Sequence, residues 1–186
     1  GLDADNELKI LRAVKRAAEV CALELVPTLL GAHAVPEEHR GRPEDYARVV
    51  CEEMVPRAAK DGLARFIDVF CEEDCFSEAL AARVLEAGAR AGLKLKVHAE
   101  QLSRSGGSRL AARLKAASAD HLDQASDEDF RALKEAGVVA TLLPAANYFL
   151  GLPPPPARRA VEQGVPVALA TDFNPGTAPC WNMATV

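Results

Sequence analysis

The chain has 186 residues, of which 49% are apolar, and this is enough for one domain with a hydrophobic core. Its net charge is −5, with no cluster of lysines and arginines between aromatic residues, so we predict no nucleic-acid partner. No apolar stretch reaches the roughly 18 residues of a membrane helix, and the chain does not open on a signal-peptide pattern. We therefore predict no membrane partner either.

The five cysteines do not have the spacing of a structural zinc site. Cys71 and Cys75 are not in a Cys-x-x-Cys array, and no second thiol pair accompanies them. We interpret all five as reduced thiols of a cytoplasmic protein.

Helical and strand-like segments alternate along the chain. We predict helices over 5–23, 42–61, 78–91, 107–117, 126–137 and 157–163. We predict strands over 24–31, 65–70, 95–98, 118–121, 138–143 and 166–171. Ser77 is a predicted N-cap, and Ser126 with Asp129 forms a predicted capping box. The four prolines that end at Pro156 indicate a loop.

The strand ends fall near residues 33, 72, 98, 121, 144 and 172, as in successive strand–helix units. The strands are continuous apolar runs, which is typical of parallel strands covered on both faces. This pattern predicts a (β/α)8 TIM-type barrel. Because such a barrel has eight strands and typically about 250 residues, we expect an incomplete piece. Residues 1–186 would form one partial barrel domain covering roughly strands 3 to 8, with the N-terminal strands and the C-terminal part missing.

Three of the predicted strands end directly at a potential metal ligand or general base. These residues are His98, His121 and Asp172. Barrel enzymes carry their active-site residues at the carboxyl ends of the strands. Two imidazoles and a carboxylate are the components of a metal-dependent hydrolase, although a single histidine at a strand end is more often structural.

Several motifs resemble the imidazolonepropionase family of the amidohydrolase superfamily, in the order found in that family. They are Leu30-Gly31-Ala32-His33-Ala34-Val35-Pro36, Asp68-Val69-Phe70-Cys71-Glu72, Val97-His98-Ala99-Glu100-Gln101, Ser105-Gly106-Gly107, Ser118-Ala119-Asp120-His121-Leu122, Leu142-Leu143-Pro144 and Ala170-Thr171-Asp172-Phe173-Asn174-Pro175-Gly176-Thr177. The last of these is specific to this family within the superfamily. The resemblance implies an amidohydrolase barrel and hydrolysis of 4-imidazolone-5-propanoate to N-formimidoyl-L-glutamate in histidine degradation.

The resemblance also implies one Zn or Fe ion per site, with His98 and Asp172 among its ligands. Both donor types suit either metal, so the choice between zinc and iron stays open. The family's remaining ligands form a His-x-His pair, which this chain does not contain. Asp172 and His121 match catalytic positions, Asp172 as the base for the attacking water and His121 as a donor to the developing oxyanion. A structural hydrogen bond to a neighbouring strand is the alternative for His121.

Five residues match substrate-binding positions of the family: His33, Gln101, Asn174, Gly176 and Thr177. Gln101 stands where many members have Glu, and its amide can donate and accept but cannot titrate. Asn-Pro-Gly is also ordinary turn chemistry, and the two interpretations are compatible. The cation for the substrate's propionate is open between Arg104, Arg109 and a residue outside this chain.

Two alternatives to this function remain from the sequence. The first is another amidohydrolase acting on a small molecule, such as a nucleobase-type deaminase with the same metal site. The second is a catalytically inactive fragment that needs the rest of the barrel. Because missing strands would leave unpaired edges, a homo-oligomer is open as well.

Overall fold

A computed structural model describes residues 2–186, and the chain divides into two compact units, one up to Lys96 and one from Val97 on. The first unit contains α1 (Ala4–Ala18), β1 (Thr28–Ala32), α2 (Pro43–Val49), α3 (Val55–Lys60), β2 (Phe66–Cys71) and α4 (Glu78–Arg90). A short 3-10 turn at Glu37–His39 precedes α2. The strand β3 (Lys94–Ala99) contains the boundary between the units.

In the first unit β1 and β2 are parallel, with Thr28 opposite Phe66 and Leu29 opposite Ile67. Leu29, Ile67 and Val69 are fully or almost fully buried, as the apolar runs predict. The strand β1 begins at Thr28 rather than at the predicted residue 24. Pro27 precedes the strand and has no N–H to donate to a neighbouring strand. Its carbonyl does accept a hydrogen bond from the N–H of Arg65 (2.9 Å).

The predicted helix over 42–61 is interrupted in the structure. A π-helical turn at Val50–Met54 separates α2 from α3. Pro56 explains the interruption, because it has no N–H to donate to the carbonyl one turn earlier and its ring crowds that carbonyl. The first helix also ends earlier than predicted, at Ala18 instead of residue 23.

The second unit contains the remaining strand–helix pairs. They are α5 (Gly107–Leu114), β4 (Ser118–His121), α6 (Asp127–Ala136), β5 (Val139–Leu142), α7 (Pro144–Leu150), α8 (Ala157–Gln163) and β6 (Val167–Leu169), with a 3-10 turn at Met183–Thr185. The strands β4, β5 and β6 are parallel neighbours, with Ala119 opposite Ala140 and Thr141 opposite Ala168.

Local signals placed most helix ends of this unit correctly. The Ser126 hydroxyl accepts from the N–H of Asp129 while the Asp129 carboxylate accepts from the N–H of Ser126, so the predicted capping box is confirmed. Gly137 and Gly164 end α6 and α8 with φ of +72° and +73°. Helix α7 was not predicted, although Pro144 occupies its first turn, a position where proline needs no N–H partner.

The strand β3 carries hydrogen bonds at both of its ends. The N–H of Lys94 donates to the carbonyl of Arg65 (3.0 Å), and the carbonyl of Ala99 accepts from the N–H of Leu122 (3.0 Å). The strand order is β1-β2-β3-β4-β5-β6, which is the chain order. This parallel, sequential sheet with alternating helices confirms the prediction of a partial β/α barrel. No helix within residues 2–186 has the length and apolar character needed to cross a bilayer.

Candidate metal and substrate site

The carboxyl ends of β3, β4 and β6 carry the predicted metal ligands and catalytic residues of the second unit. His98 is the penultimate residue of β3, His121 ends β4, and Asp172 lies three residues beyond the end of β6. These ends lie at one edge of the sheet because the strands are parallel. Local sequence explains the placement, since each apolar run ends where the polar residue begins.

The side chains of His98, His121 and Asp172 form one group with that of Asp120. The rings of His98 and His121 have centroids 5.3 Å apart at an interplanar angle of 44°. A ligand atom of His98 and one of Asp120 lie within 4.8 Å of each other. Burial raises the pKa of the Asp172 carboxyl above its ordinary value, while the charge of His98 lowers it and that of Asp120 raises it. The charges of His98 and Asp120 therefore act on the Asp172 carboxyl in opposite directions.

This group of side chains fits a divalent metal ion by the chemistry of its donors. Neutral imidazole nitrogen and carboxylate oxygen are ligands for both zinc and iron. His98 and Asp172 are half-buried and Asp120 is buried, so the carboxylates lie where charge compensation is worth most. Asp120 was missed as a candidate ligand from the sequence. Its signal was its position, one residue before His121 at the end of an apolar strand.

Backbone strain concentrates at the same strand ends. His121 and the next residue Leu122 both have left-handed backbone, with φ of +77° and +66°. Glu100, after β3, and Asp172, after β6, are left-handed as well, with φ of +48° and +52°. Non-glycine residues adopt this conformation at a cost and are enriched at functional sites. The strain supports a functional role for this edge of the sheet.

Two further residues contact His121 or support it, and the sequence did not indicate them. The Asp123 carboxylate lies 4.0 Å from Nδ1 of His121. The other Asp123 oxygen accepts a hydrogen bond from the amide of Asn147 (2.8 Å), which also donates to the carbonyl of Pro153 (2.9 Å). At 4.0 Å the contact between Asp123 and His121 is an electrostatic one, too long for a hydrogen bond.

Glu100 ties the end of β3 to the start of α5. Its buried carboxylate accepts hydrogen bonds from the N–H of Ser108 (2.8 Å) and from the Ser108 hydroxyl. Burial raises the pKa of Glu100, and the two Ser108 bonds oppose that shift. The Glu100 side chain is thus held against Ser108, while its neighbour Gln101 is half-buried.

The segment after β6 forms a closed loop around the amide of Asn174. That amide donates to the carbonyl of Asp172 (2.7 Å) and to the hydroxyl of Thr177 (2.9 Å). Its oxygen accepts from the N–H groups of Gly176 (2.9 Å) and Thr177 (2.7 Å). The N–H of Asn174 donates to the carbonyl of Ala178 (3.0 Å) and closes the loop. The predicted turn chemistry of Asn-Pro-Gly is therefore present.

His33 lies in the first unit, directly after β1. Its side chain is exposed, and its ring stacks on Phe70 with centroids 5.3 Å apart at an interplanar angle of 22°. Phe70 belongs to β2, the parallel neighbour of β1. The aromatic contact holds the imidazole at the carboxyl end of its strand.

A polar cavity of about 200 Å³ lies beside the start of α5. Its lining residues are Glu100, Arg104, Gly106, Arg109 and Asp129. Arg104 and Arg109 form ion pairs with the buried Asp129 at 3.6 Å and 3.4 Å, and both arginine side chains are largely exposed. The two arginines considered for the propionate are thus already paired with a carboxylate.

Known proteins are similar to this chain in sequence over almost its whole length. The chain is 52% identical to an imidazolonepropionase of Syntrophobacter fumaroxidans over 178 residues, which is 96% of this chain. It is 51% identical to one of Myxococcus xanthus over 99% of its length, and 46% identical to one of Geobacillus kaustophilus over all 186 residues. The resemblance to imidazolonepropionases is confirmed. The aligned part is 42% to 44% of these relatives, so the chain spans less than half of their length.

Solved structures with the same fold are amidohydrolase-type enzymes of low sequence identity. A guanine deaminase from C. acetobutylicum with bound guanine has a TM-score of 0.70 at 14% identity, covering 96% of this chain and 46% of that one. A triazine hydrolase variant has a TM-score of 0.61 at 16% identity, covering 86% of this chain and 40% of that one. An adenosine deaminase from Xanthomonas campestris with bound zinc has a TM-score of 0.56 at 14% identity, over 87% of this chain and 39% of its own. No family model matches the chain. These likenesses confirm the predicted β/α barrel fold.

Proposed function

We propose that residues 1–186 form part of one barrel domain of an imidazolonepropionase, and that the whole enzyme hydrolyses 4-imidazolone-5-propanoate to N-formimidoyl-L-glutamate in histidine degradation. The observation that carries this proposal is 40% to 52% identity to imidazolonepropionases over nearly the whole chain. The coupled group of His98, His121 and Asp172 at the strand ends supports it.

In this proposal one zinc or iron ion is held by His98 and Asp172, together with ligands from outside this chain. The ion would supply a Lewis acid that lowers the pKa of a water molecule from 15.7 towards roughly 7. Asp172 would accept the water's proton as the new C–O bond forms at the ring carbonyl, and the ring nitrogen would leave protonated as its bond to the carbonyl carbon breaks. His121 would donate a hydrogen bond to the oxyanion that develops on the ring carbonyl, and Asp123 would keep its ring oriented.

The substrate would lie over the same strand ends. His33 would contact the imidazolone ring, and Gln101 would bind its polar atoms through a side-chain amide that can both donate and accept. The loop of Asn174, Gly176 and Thr177 would form one wall of the substrate site, and its internal hydrogen bonds support this by making the wall rigid. Water is excluded from a site with such preorganised walls more easily than from a mobile one.

We place the enzyme in the cytoplasm, with a small molecule as its substrate. A homo-oligomer is one option for its assembly. All five cysteines are free thiols in the structure, which supports a reducing compartment. Neither a nucleic acid nor a membrane is part of the proposal.

The first experiment is elemental analysis of the purified 186-residue chain, without added metal, followed by hydrolysis assays of the complete enzyme. We expect turnover of 4-imidazolone-5-propanoate and none of guanine. In the complete enzyme Asp172→Asn should abolish turnover while leaving the folded structure intact by circular dichroism, because an amide cannot accept the water's proton.

Each result separates the alternatives. Turnover of guanine instead of the imidazolone would favour a nucleobase deaminase. About one zinc or iron ion per chain would mean that His98 and Asp172 hold metal with the ligands at hand. If the chain is metal-free, metal binding requires the complete barrel. If Asp172→Asn keeps substantial activity, Asp172 is not the proton acceptor.

A further inference from the structure

Asp172, three residues beyond the end of strand β6, has a backbone conformation that is uncommon for a residue with a side chain. Its φ is +52°, in the left-handed region that favours glycine. The conformation turns the chain at the end of β6, and it sets the direction in which the carboxylate leaves the backbone. A local hydrogen bond can stabilise Asp172 in this conformation.

The amide of Asn174 makes the hydrogen bond that does so. Its Nδ2 donates to the carbonyl of Asp172 (2.7 Å) and lies 3.5 Å from the Asp172 carboxylate oxygen Oδ2. The Asn174 amide thus lies beside both the backbone carbonyl and the side-chain carboxylate of Asp172. Asparagine side chains commonly make local hydrogen bonds of this kind to backbone groups a few residues away.

The rest of the Asn174 amide is fully used inside the loop. Nδ2 also donates to the hydroxyl of Thr177 (2.9 Å), and the oxygen accepts from the N–H groups of Gly176 (2.9 Å) and Thr177 (2.7 Å). An asparagine amide has two hydrogens and two lone pairs. The bonds within the loop use this capacity, so they fix the orientation of the amide beside Asp172.

We propose that Asn174 is a positioning residue for Asp172, with its amide holding the aspartate in the left-handed conformation. The inference rests on the proposed function only in taking Asp172 as a metal ligand and proton acceptor. It adds the support of a reactive carboxylate to the substrate contact expected of Asn174. The expected roles of Gly176 and Thr177 are unchanged.

The first test is structural and needs neither metal nor substrate. Asn174→Asp keeps an oxygen for the N–H groups of Gly176 and Thr177 but removes the donor to Asp172. We expect the backbone chemical shifts of Asp172 in the 186-residue chain to leave their left-handed values in this variant, and in Asn174→Ala. Unchanged shifts at Asp172 in Asn174→Asp would overturn the proposal.

Asn182 offers a matched control in the same terminal region. Its side-chain oxygen accepts from the N–H of Ala184 (3.0 Å), so it is also a local cap, and it is exposed. Asn182→Asp makes the same chemical change as Asn174→Asp. We expect it to leave the shifts of Asp172 unchanged, and a shift change of equal size would mean that the added charge, rather than the lost donor, is responsible.

The second test is the affinity for Zn²⁺ alone, measured by isothermal titration. Supporting residues of metal ligands typically change affinity by about 10- to 100-fold, and we expect a loss of that size in Asn174→Asp. In an Asp172→Ala background the same change should have no further effect, because Asn174 acts through Asp172.

The outcomes distinguish this proposal from the proposed function. If Asp172→Ala leaves Zn²⁺ affinity unchanged, Asp172 is not a ligand, the proposed metal site is wrong, and the shifts of Asp172 alone decide the role of Asn174. If Asp172→Ala weakens binding but Asn174→Asp does not, the metal site stands and the positioning role is overturned. If Asn174→Asp weakens Zn²⁺ binding by the same factor in the wild-type and the Asp172→Ala backgrounds, the positioning role is likewise overturned.

Discussion

At the scale of single residues, several residues at the site have backbone conformations that cost conformational free energy. Of the five non-glycine residues with left-handed φ in residues 2–186, four lie at the ends of β3, β4 and β6. They are Glu100, His121, Leu122 and Asp172. Each such residue costs on the order of 1–3 kcal/mol, so the local hydrogen bonds of Ser108 and Asn174 are needed to keep this edge in one conformation.

The Asp123 carboxyl is a second destabilising feature, and its effect can be measured as a change in the free energy of unfolding. Burial raises the pKa of its carboxyl, and the hydrogen bond from Asn147 opposes the shift only in part. Because the folded-state pKa lies above the unfolded value, the folded chain binds the proton more tightly. Stability from this group therefore falls as pH rises from the ordinary aspartate value of about 3.9 through the folded pKa.

We predict that Asp123→Asn raises the free energy of unfolding at pH 7, because an amide oxygen still accepts from Asn147 without a buried charge. The gain over wild type should shrink as pH is lowered towards about 3.9, in urea unfolding followed by circular dichroism. Asp74→Asn is the control, since Asp74 is exposed in a turn. A less stable Asp123→Asn at pH 7 would mean that attraction between Asp123 and His121 outweighs the cost of burial.

At the scale of secondary-structure elements, the close contact of helix α4 with strand β2 depends on a glycine. A Cβ added at Gly88 would lie 2.4 Å from Cγ2 of Ile67, which is far inside van der Waals contact. Ile67 is 1% exposed and cannot move into solvent. The missing side chain is therefore what allows the helix to lie this close to the strand.

We predict that Gly88→Ala destabilises the chain by about 1–3 kcal/mol, although alanine favours the helix by up to roughly 1 kcal/mol. Urea unfolding measures the difference. In an Ile67→Ala background, where the crowding methyl groups are absent, the same substitution should be neutral or stabilising. An equal loss in both backgrounds would show that the contact between α4 and β2 is not the cause.

At the scale of the whole chain, strand β6 leaves an apolar edge within the second unit. Val167 and Leu169 are 37% and 48% exposed, and β6 has one neighbour, β5, among the described strands. The exposed rings of Phe173 and Trp181 pack edge to face with centroids 5.9 Å apart. Exposed apolar strand edges of this kind favour association with another chain.

We predict that the purified 186-residue chain self-associates through this edge, as measured by sedimentation velocity over a range of concentrations. Leu169→Lys should shift the chain towards the monomer, because charge on an edge strand opposes pairing. Val161→Lys is the control, since Val161 is exposed on α8 rather than on the strand edge. A wild-type chain that stays monomeric at about 100 μM, well within the range in which exposed edges associate, would contradict this prediction.

The chain's own sequence determined the elements whose signals are local. The capping box of Ser126 and Asp129, the stops at Gly137 and Gly164, and the bounds of α8 agree with the structure. The same holds for the strand-end positions of His98 and His121. These features depend on residues within one or two turns of each other, or on an apolar run and the polar residue that ends it.

Only the tertiary structure decided which side chains meet. Asp123 and Asn147 are 24 residues apart, and the role of Asp120 depends on the strand beside it, so no periodicity indicated either contact. The unpredicted helix α7 and the early end of α1 at Ala18 also lie outside local propensity. Backbone hydrogen bonds and burial between distant segments outweigh propensities of a few tenths of a kcal/mol per residue, so such contacts and boundaries emerge only when the strands pair.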